Sequence, residues 1–421
     1  MKIFYGWKMV GAASTLQFLQ SMMWYQAFGA YAAILMEDKG WSKTAVAGGA
    51  ALQSMEGAII GPILGGILDK FGSRGVIRFG TIMFGVGLMV FSQVDSIPMF
   101  YGTMVLMMFG CSMAGYFPLN VGVIQWFERK RARALSMISL GLGIGGMCVP
   151  LVAWCIEYFG WRPTAFGCGV LAIAIGYPMA CVFRRRPEDF GEVVDGGPSK
   201  PSEHERKGHR TPARTEVDFT AREAFRTRAF WLLSGGHALA LVVVSAVNAH
   251  AINHMRISLG FTIAHAATII TVMTMFQVLG VLIGGYIGDK VEKRLVAAGC
   301  MWSHAIGLLM LTYATGMSML LAFAVLHGLA WGVRGPFMQA IRADYFGRTA
   351  IGSILGISAI IASVGQVSGP LLAGVLGDAT GNYQLGFTVL AFIAAGGSAL
   401  FLAARRPPPP PRLRPPTSAP A

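Results

Sequence analysis

The chain is short of charge. Only 13% of its 421 residues are Asp, Glu, Lys or Arg, against about 25% in an average soluble domain. Acids are scarcer than bases, 20 against 34. With 54% hydrophobic residues, there is too little charged surface to coat a water-soluble body of this length, and lipid is the implied solvent. Cysteine builds no framework: Cys111, Cys148, Cys155, Cys168, Cys181 and Cys300 all lie in apolar runs, without CxxC pairs or histidines at zinc spacing. That excludes a disulfide scaffold and leaves no metal set. A Walker-type phosphate loop is missing, which excludes ATP-driven work. Gly141-Leu142-Gly143-Ile144-Gly145-Gly146 matches G-x-G-x-x-G, but it lies inside an apolar run with no strand before it, so close helix packing explains it better than dinucleotide binding. No nucleophile–base pair stands out, so the chain reads as a non-enzyme that needs no cofactor.

What is present is a series of long apolar runs. Twelve reach the roughly 20 residues that span a bilayer: 9–35, 44–68, 76–94, 97–124, 134–157, 163–183, 229–254, 263–287, 294–315, 318–341, 351–376 and 385–404. Glycine and proline inside them are tolerable because neighbouring helices satisfy and pack the backbone. The 24 methionines fit adaptable packing. Lys2 and Lys8 precede the first run and no small-residue cleavage site follows it, so an uncleaved first helix is expected.

The bases are one-sided. An even number of spans puts both termini on one side. Of the 34 bases, only Lys39, Lys43, Arg162 and Arg256 fall on the other side, and Arg334 alone is left inside a span. The positive-inside rule then expects cytoplasmic termini and a multi-pass protein of the cytoplasmic membrane. Topology, with some contact to anionic lipid, accounts for the net charge of +14; nucleic acid is not an expected partner. The polar stretch 184–228 is a cytoplasmic loop between two six-helix bundles, 1–183 and 229–404. The proline-rich tail, 405–421, is expected to be disordered.

The bundles repeat each other. Asp69-Lys70 and Asp289-Lys290 stand 220 residues apart, as do Pro150 and Pro370. Trp126-Phe127-Glu128-Arg129 and Tyr345-Phe346-Gly347-Arg348 are 219 apart. Three matches at one offset describe a duplicated six-helix unit, and such bundles place a substrate site near midplane between halves that rock about it.

The stretch Gly65-Gly66-Ile67-Leu68-Asp69-Lys70-Phe71-Gly72-Ser73-Arg74 resembles the signature loop between helices 2 and 3 of the major facilitator superfamily. Gly285 to Arg294 resembles its second-half copy, with Glu292 where the first has Gly72. The Tyr5-Gly6-Trp7, Gly160-Trp161-Arg162 and Arg342-to-Arg348 segments are most similar to its monocarboxylate and oxalate/formate branch. The resemblance implies the major facilitator fold: an all-α integral membrane protein, twelve transmembrane helices in two pseudo-symmetric bundles. It implies carriage of small organic anions, and gating by Asp69, Lys70, Arg74, Asp289, Lys290 and Arg294. It also places helices 1, 4, 7 and 10 around the cavity.

Candidate site residues follow. Arg334 is the deep cation, with a guanidinium fork suited to a carboxylate. His327, Trp331, Arg334 and Met338 share one face. Tyr116 and Asn120 share a face of helix 4. His250 and Asn253 lie near the outer end of helix 7, with Asn248 and His254. Trp24, in line with Gln17 and Gln20, and Gln277 on helix 8 complete the set. Glu56, the one acid near the middle of a span, is the proton-coupling candidate, with a structural role or pairing to Arg334 as alternatives. The helix 8 and helix 11 runs hold no base, unlike the oxalate/formate exchangers. One deep cation therefore argues for one carboxylate. The reading is a secondary active transporter of a small organic anion, a monocarboxylate, working by proton symport or anion exchange. The alternative is an efflux carrier for apolar or drug-like compounds.

Overall fold

The computed structural model describes residues 4–41, 43–196, 218–261 and 263–413. Of the expectations above, the middle of the central loop (197–217) and the tail from 414 lie outside the described residues. So do the side chains at 50–59, Glu56 among them.

Among the described residues the regular elements are helices. The first span is α1 (Tyr5–Gln20), a π-helical turn (Ser21–Tyr25) and α2 (Phe28–Lys39); the second is α3 (Lys43–Phe71). The third is α4 (Ser73–Phe91), the fourth α5 (Ile97–Ala114) with α6 (Tyr116–Ile124), the fifth α7 (Arg131–Met147) with α8 (Val149–Phe159), and the sixth α9 (Trp161–Cys181). A short α10 (Ala221–Phe225) leads to α11 (Arg228–Ile257), α12 (Ile263–Ile287), α13 (Lys293–Thr312), α14 (Met317–Phe346), α15 (Ile351–Thr380) and α16 (Gln384–Ala403). Spans three to twelve supply ten helices long and apolar enough to cross a bilayer; with the first two they make twelve. Ile63, Val364, Val375 and Phe392 are each 65–72% exposed, the outward apolar face that lipid requires.

Helix ends follow local chemistry. Gly72 sits at φ 79°, ψ 172°, a region only glycine enters freely, and it turns α3 into α4. Its repeat mate Glu292 holds φ −71°, so the second copy of the loop turns differently. Thr227 caps α11 by accepting from Phe230 N at 3.2 Å.

The halves meet along two seams, α3 against α15 and α7 against α12. Glycines make both possible. A Cβ on Gly352 would lie 2.6 Å from the Gly65 carbonyl oxygen, and one on Gly288 2.7 Å from Ala132 Cβ. At the end that carries the termini, two aspartates lock the seams. Asp69 accepts from Gly352 N (2.8 Å) and Ser353 N (2.7 Å), the first turn of α15. Asp289 accepts from Ala132 N (2.8 Å) and Arg133 N (3.3 Å), the first turn of α7. Donors and acceptors keep the 220-residue offset, so each half caps a helix of the other in the same way. A carboxylate at a helix N-terminus meets unpaired N–H groups and the positive end of the dipole.

Other cross-half bonds close the same end. Arg131, buried, pairs with Asp344 at 2.5 Å, which Lys293 also reaches at 2.8 Å. Gln125 and Arg348 exchange bonds through each other's carbonyls at 2.9 and 2.7 Å. The start of the central loop crosses over them: Arg185 donates to the Lys70 carbonyl (3.0 Å), and Glu188 pairs with Arg348 (3.3 Å). At the opposite end the ties found among the described residues stay within one half, as in Lys39–Asp95 (2.8 Å), Arg162–Asp95 (2.5 Å) and Trp161–Asp38 (3.2 Å). The terminus-bearing end is the closed one.

Two predictions concern this lock. Asp69→Ala strands two helix-end donors and is expected to weaken the closed state by about 1–3 kcal/mol, a tenfold change for every ~1.4 kcal/mol. Spin labels at the exposed positions Arg129 and Arg226 would report a longer distance across the seam. Burial pushes the Asp289 carboxyl up, against the pull of its backbone donors and of Lys293. Once the seam opens and water enters, the group returns toward about 3.9. The closed form then binds more protons at pH values above the ordinary carboxylate range, so acid favours closure. The same label pair should shorten on acidification, and Asp289→Asn should flatten that response.

Candidate functional site

A cavity of about 240 Å³ opens between the halves. Tyr116 and Phe117 of α6 line one wall, and His237 of α11, Gln339 and Arg342 of α14 and Gln366 of α15 line the other. The break in the helix at Gly115, where the backbone turns extended (φ −93°, ψ −163°), starts α6 and sets Tyr116 at the wall. Its hydroxyl lies 3.3 Å from Ser139 Oγ.

Arg342 corrects the sequence reading, which assigned it to a loop and left Arg334 as the one intramembrane cation. Hydropathy ends the tenth run at 341, but α14 continues to Phe346, and packing by α11 and α15 leaves Arg342 only 2% exposed. Its NH1 donates to Met338 O at 2.5 Å and its NH2 lies 3.5 Å from His237 Nδ1, while Nε has no partner among the described residues.

Arg334 lies two turns away on α14, buried at 1% exposure, and does not line this cavity. Its Nε and NH1 reach no hydrogen-bond partner among the described residues. It is near enough to act electrostatically on Arg342, His237 and Cys300. No Asp or Glu occurs in α11, α12, α13 or α16; in α14 the one acid is Asp344, engaged with Arg131 and Lys293, and in α15 it is Asp378 near the far end. The second half thus holds two buried guanidiniums without a carboxylate of its own beside them.

The other expected residues divide. Asn120 is fully buried behind Tyr116, its amide atoms unpartnered among the described residues. His327 and Met338 share the buried face of Arg334, as the spacing implied, whereas Trp331 packs half-buried against the second-half core. Trp24 is placed away from the cavity, in an aromatic cluster with Phe28, Tyr31 and Phe91 at 5.3–6.1 Å. The helix has shifted register through the π turn at Ser21–Tyr25. His250 does not open to a mouth: its Nε2 meets Pro370 O at 3.0 Å and its ring stacks on Tyr383. His254 is buried against Leu311 O at 3.0 Å. Asn253 and Gln277 are half-buried outside the cavity. Of the gating set, Asp69 and Asp289 bridge the halves. Lys70 and Lys290 lie over neighbouring rings, Phe71 at 5.2 Å and Tyr286 at 3.8 Å. Arg74 is exposed, and Arg294 bonds Glu292 and Leu402 O. His237, Gln339 and Gln366 were not singled out in the sequence. His237 at least carries a signal, a lone histidine on the inner half of helix 7.

Comparison with known proteins gives three results. The sequence profile of the Major Facilitator Superfamily matches residues 13–252 and 233–421. Monocarboxylate transporter 13 of Bos taurus is 24% identical over 343 residues, 80% of this chain and 74% of that one. The hexuronate transporter of Escherichia coli strain K12 is 24% identical over 402 residues, 91% and 90% of the two chains. In structure, the human organic anion transporter TETRAN superposes with a TM-score of 0.72 at 13% identity, covering 94% of this chain and 99% of that one. The E. coli fucose:proton symporter superposes at 0.71 and 13%, covering 94% and 98%. At such identities the two structures establish the fold.

An unpaired buried charge opposes folding, and an apolar replacement of similar volume removes its desolvation cost. Arg334→Met is therefore expected to raise the melting temperature of the protein in detergent without added anions. A lowered melting temperature would mean that the guanidinium is already satisfied in the fold.

Proposed function

The chain belongs to the major facilitator superfamily, and on that premise we propose that it is a secondary carrier of small organic anions, carboxylates foremost, across the cytoplasmic membrane. The observation that carries this reading is the pair of buried guanidiniums, Arg334 and Arg342, with no acid of the same half beside them. A charge inside a membrane protein needs a partner. A substrate carboxylate supplies one, and the fork geometry of arginine suits it. Arg342 holds the carboxylate at the cavity wall, Tyr116 and Gln339 bond its remaining oxygens, and Arg334 adds field from below. Names of relatives point the same way: monocarboxylate and hexuronate transporters both carry acids.

The cavity's polar lining, with Arg342, Gln339, Gln366 and Ser358, favours an anionic metabolite over apolar drug efflux. Two cations in place of one loosen the earlier inference of a single carboxylate. Hydroxyl, carbonyl or second acid groups fit the polar lining of Gln339, Gln366 and Ser358.

In this reading the base-rich end faces the cytoplasm and is latched by Asp69 and Asp289. Substrate enters from the opposite side, and the bundles 1–183 and 229–404 rock about the cavity while 184–228 tethers them. Gradient coupling, and not ATP, drives the cycle.

Uptake of labelled lactate, pyruvate, glucuronate and succinate into proteoliposomes tests this. Arg342→Gln loses charge-assisted bonds worth about 1.5–3 kcal/mol, so uptake of the preferred acid should fall about tenfold to a hundredfold. Wild-type protein that is folded yet moves none of the four acids, or an Arg342→Gln variant as fast as wild type, would overturn the reading.

A further inference from the structure

Apart from the cavity, α13 and α14 hold a second polar cluster. His304 and His327 are both fully buried. Their Nδ1 atoms are 3.1 Å apart, and their ring centroids 4.4 Å apart at 63°. The ring of Phe323 stands 5.4 Å from His327. Two imidazoles joined Nδ1 to Nδ1 share one proton: one ring donates, the other accepts. The accepting ring must carry its own N–H on Nε2, and the donating ring is left with a bare Nε2. Neither Nε2 has a hydrogen-bond partner among the described residues. Buried polar groups left in this way are costly and call for an explanation.

The arrangement has one open proton position, the bare Nε2 of the donating ring. A proton added there leaves the Nδ1–H···Nδ1 bond intact and gives the pair one positive charge. The charged and titratable groups around it are few. On α14, Arg334 acts electrostatically on both rings, and Arg342 lies further along, beside His237 of α11. On α13, Cys300 is one turn from His304, and Lys293 and Arg294 are at the helix start. The remaining ionisable groups of α11 are His250 and His254, bonded to backbone carbonyls, and Arg228 and Arg256 near its two ends. α12 carries His265 near its start and Tyr286 near its end, and α16 carries no ionisable side chain. On α15 the one charged group is Asp378, near its far end. The dominant neighbour is therefore the Arg334 guanidinium.

We propose that His304 and His327 form the proton site of this carrier, occupied when a substrate anion neutralises the guanidiniums of α14 and vacated when the anion leaves. The inference rests on the organic-anion reading above. With Arg334 uncompensated, a second cation two turns away is repelled in a medium of low dielectric. A carboxylate held by Arg342, two turns along the same helix, offsets part of that repulsion. Anion and proton then raise each other's affinity by the same factor, which is the thermodynamic condition for symport. The site differs from Glu56, the sequence-based candidate, in that one of its members, His327, lies on the helix that carries both arginines.

The test uses whichever of the four acids shows Arg342-dependent uptake. Two assays are run in proteoliposomes: exchange of labelled for unlabelled acid at equal pH, and accumulation driven by an inward proton gradient. The variants are His304→Gln, His327→Gln, and the double variant His304→Phe with His327→Leu, which refills the volume with apolar atoms. Each is checked for a monodisperse elution profile. The expected result is exchange within about twofold of wild type and loss of gradient-driven accumulation to the level seen without a gradient. Retained accumulation overturns the proposal. So does loss of exchange and accumulation together in all three monodisperse variants, because that marks a packing role. A wild type that exchanges the acid but ignores the proton gradient overturns the proton site and leaves the anion reading standing. If no acid moves in an Arg342-dependent way, the anion reading fails and this inference fails with it.

Discussion

The central constraint is a pair of positive charges with nowhere inside their own half to go. Arg334 and Arg342 lie on one helix, nearly sealed from solvent, in a half whose helix interiors lack acids. In water such charges would cost little. Between packed helices, each needs a counter-charge or enough hydrogen bonds, and among the described residues Arg342 finds only Met338 O and the edge of His237. That lack of partners is what the proposed substrate carboxylate answers. The cavity wall at Arg342 and the buried His327 lie on that same helix.

The second organising element is the reciprocal aspartate lock. Asp69 and Asp289 each end one helix and cap a helix of the opposite half, and the partners obey the duplication. Backbone N–H groups at a helix start are fixed donors, so the bonds form or break as a unit when the seams part. Glycines on α3 and α15 let backbones meet closely enough for the carboxylates to reach. The start of the central loop adds Arg185 and Glu188 to the same closed end.

Much was legible in advance because its physics is local or compositional. Apolar length defines spans, and a fixed offset between Asp69 and Asp289 defines duplication. Arg334 was legible too, since a base within an apolar run is visible to any hydropathy reading. Arg342 was not. It lies where hydropathy already falls, and only packing by α11 and α15 decides that the helix continues and that the side chain is sealed. Trp24 went the other way: its spacing with Gln17 and Gln20 suggested a cavity stripe, but a π turn rotates it into the aromatic core. His250 and His254 looked like an outer rim, but the Nε2 of each meets a backbone carbonyl of another helix, Pro370 and Leu311.

The sequence by itself determined the solvent, the number of spans, the two-fold repeat and the identity of the latch aspartates, because each depends on residue type and spacing along one chain. The tertiary structure alone decided which guanidinium lines the cavity, which helix starts the aspartates cap, and that His304 and His327, 23 residues apart, meet at 3.1 Å. Those outcomes depend on how separate helices rotate and pack, and periodicity along a single helix carries no information about the face that its neighbour presents.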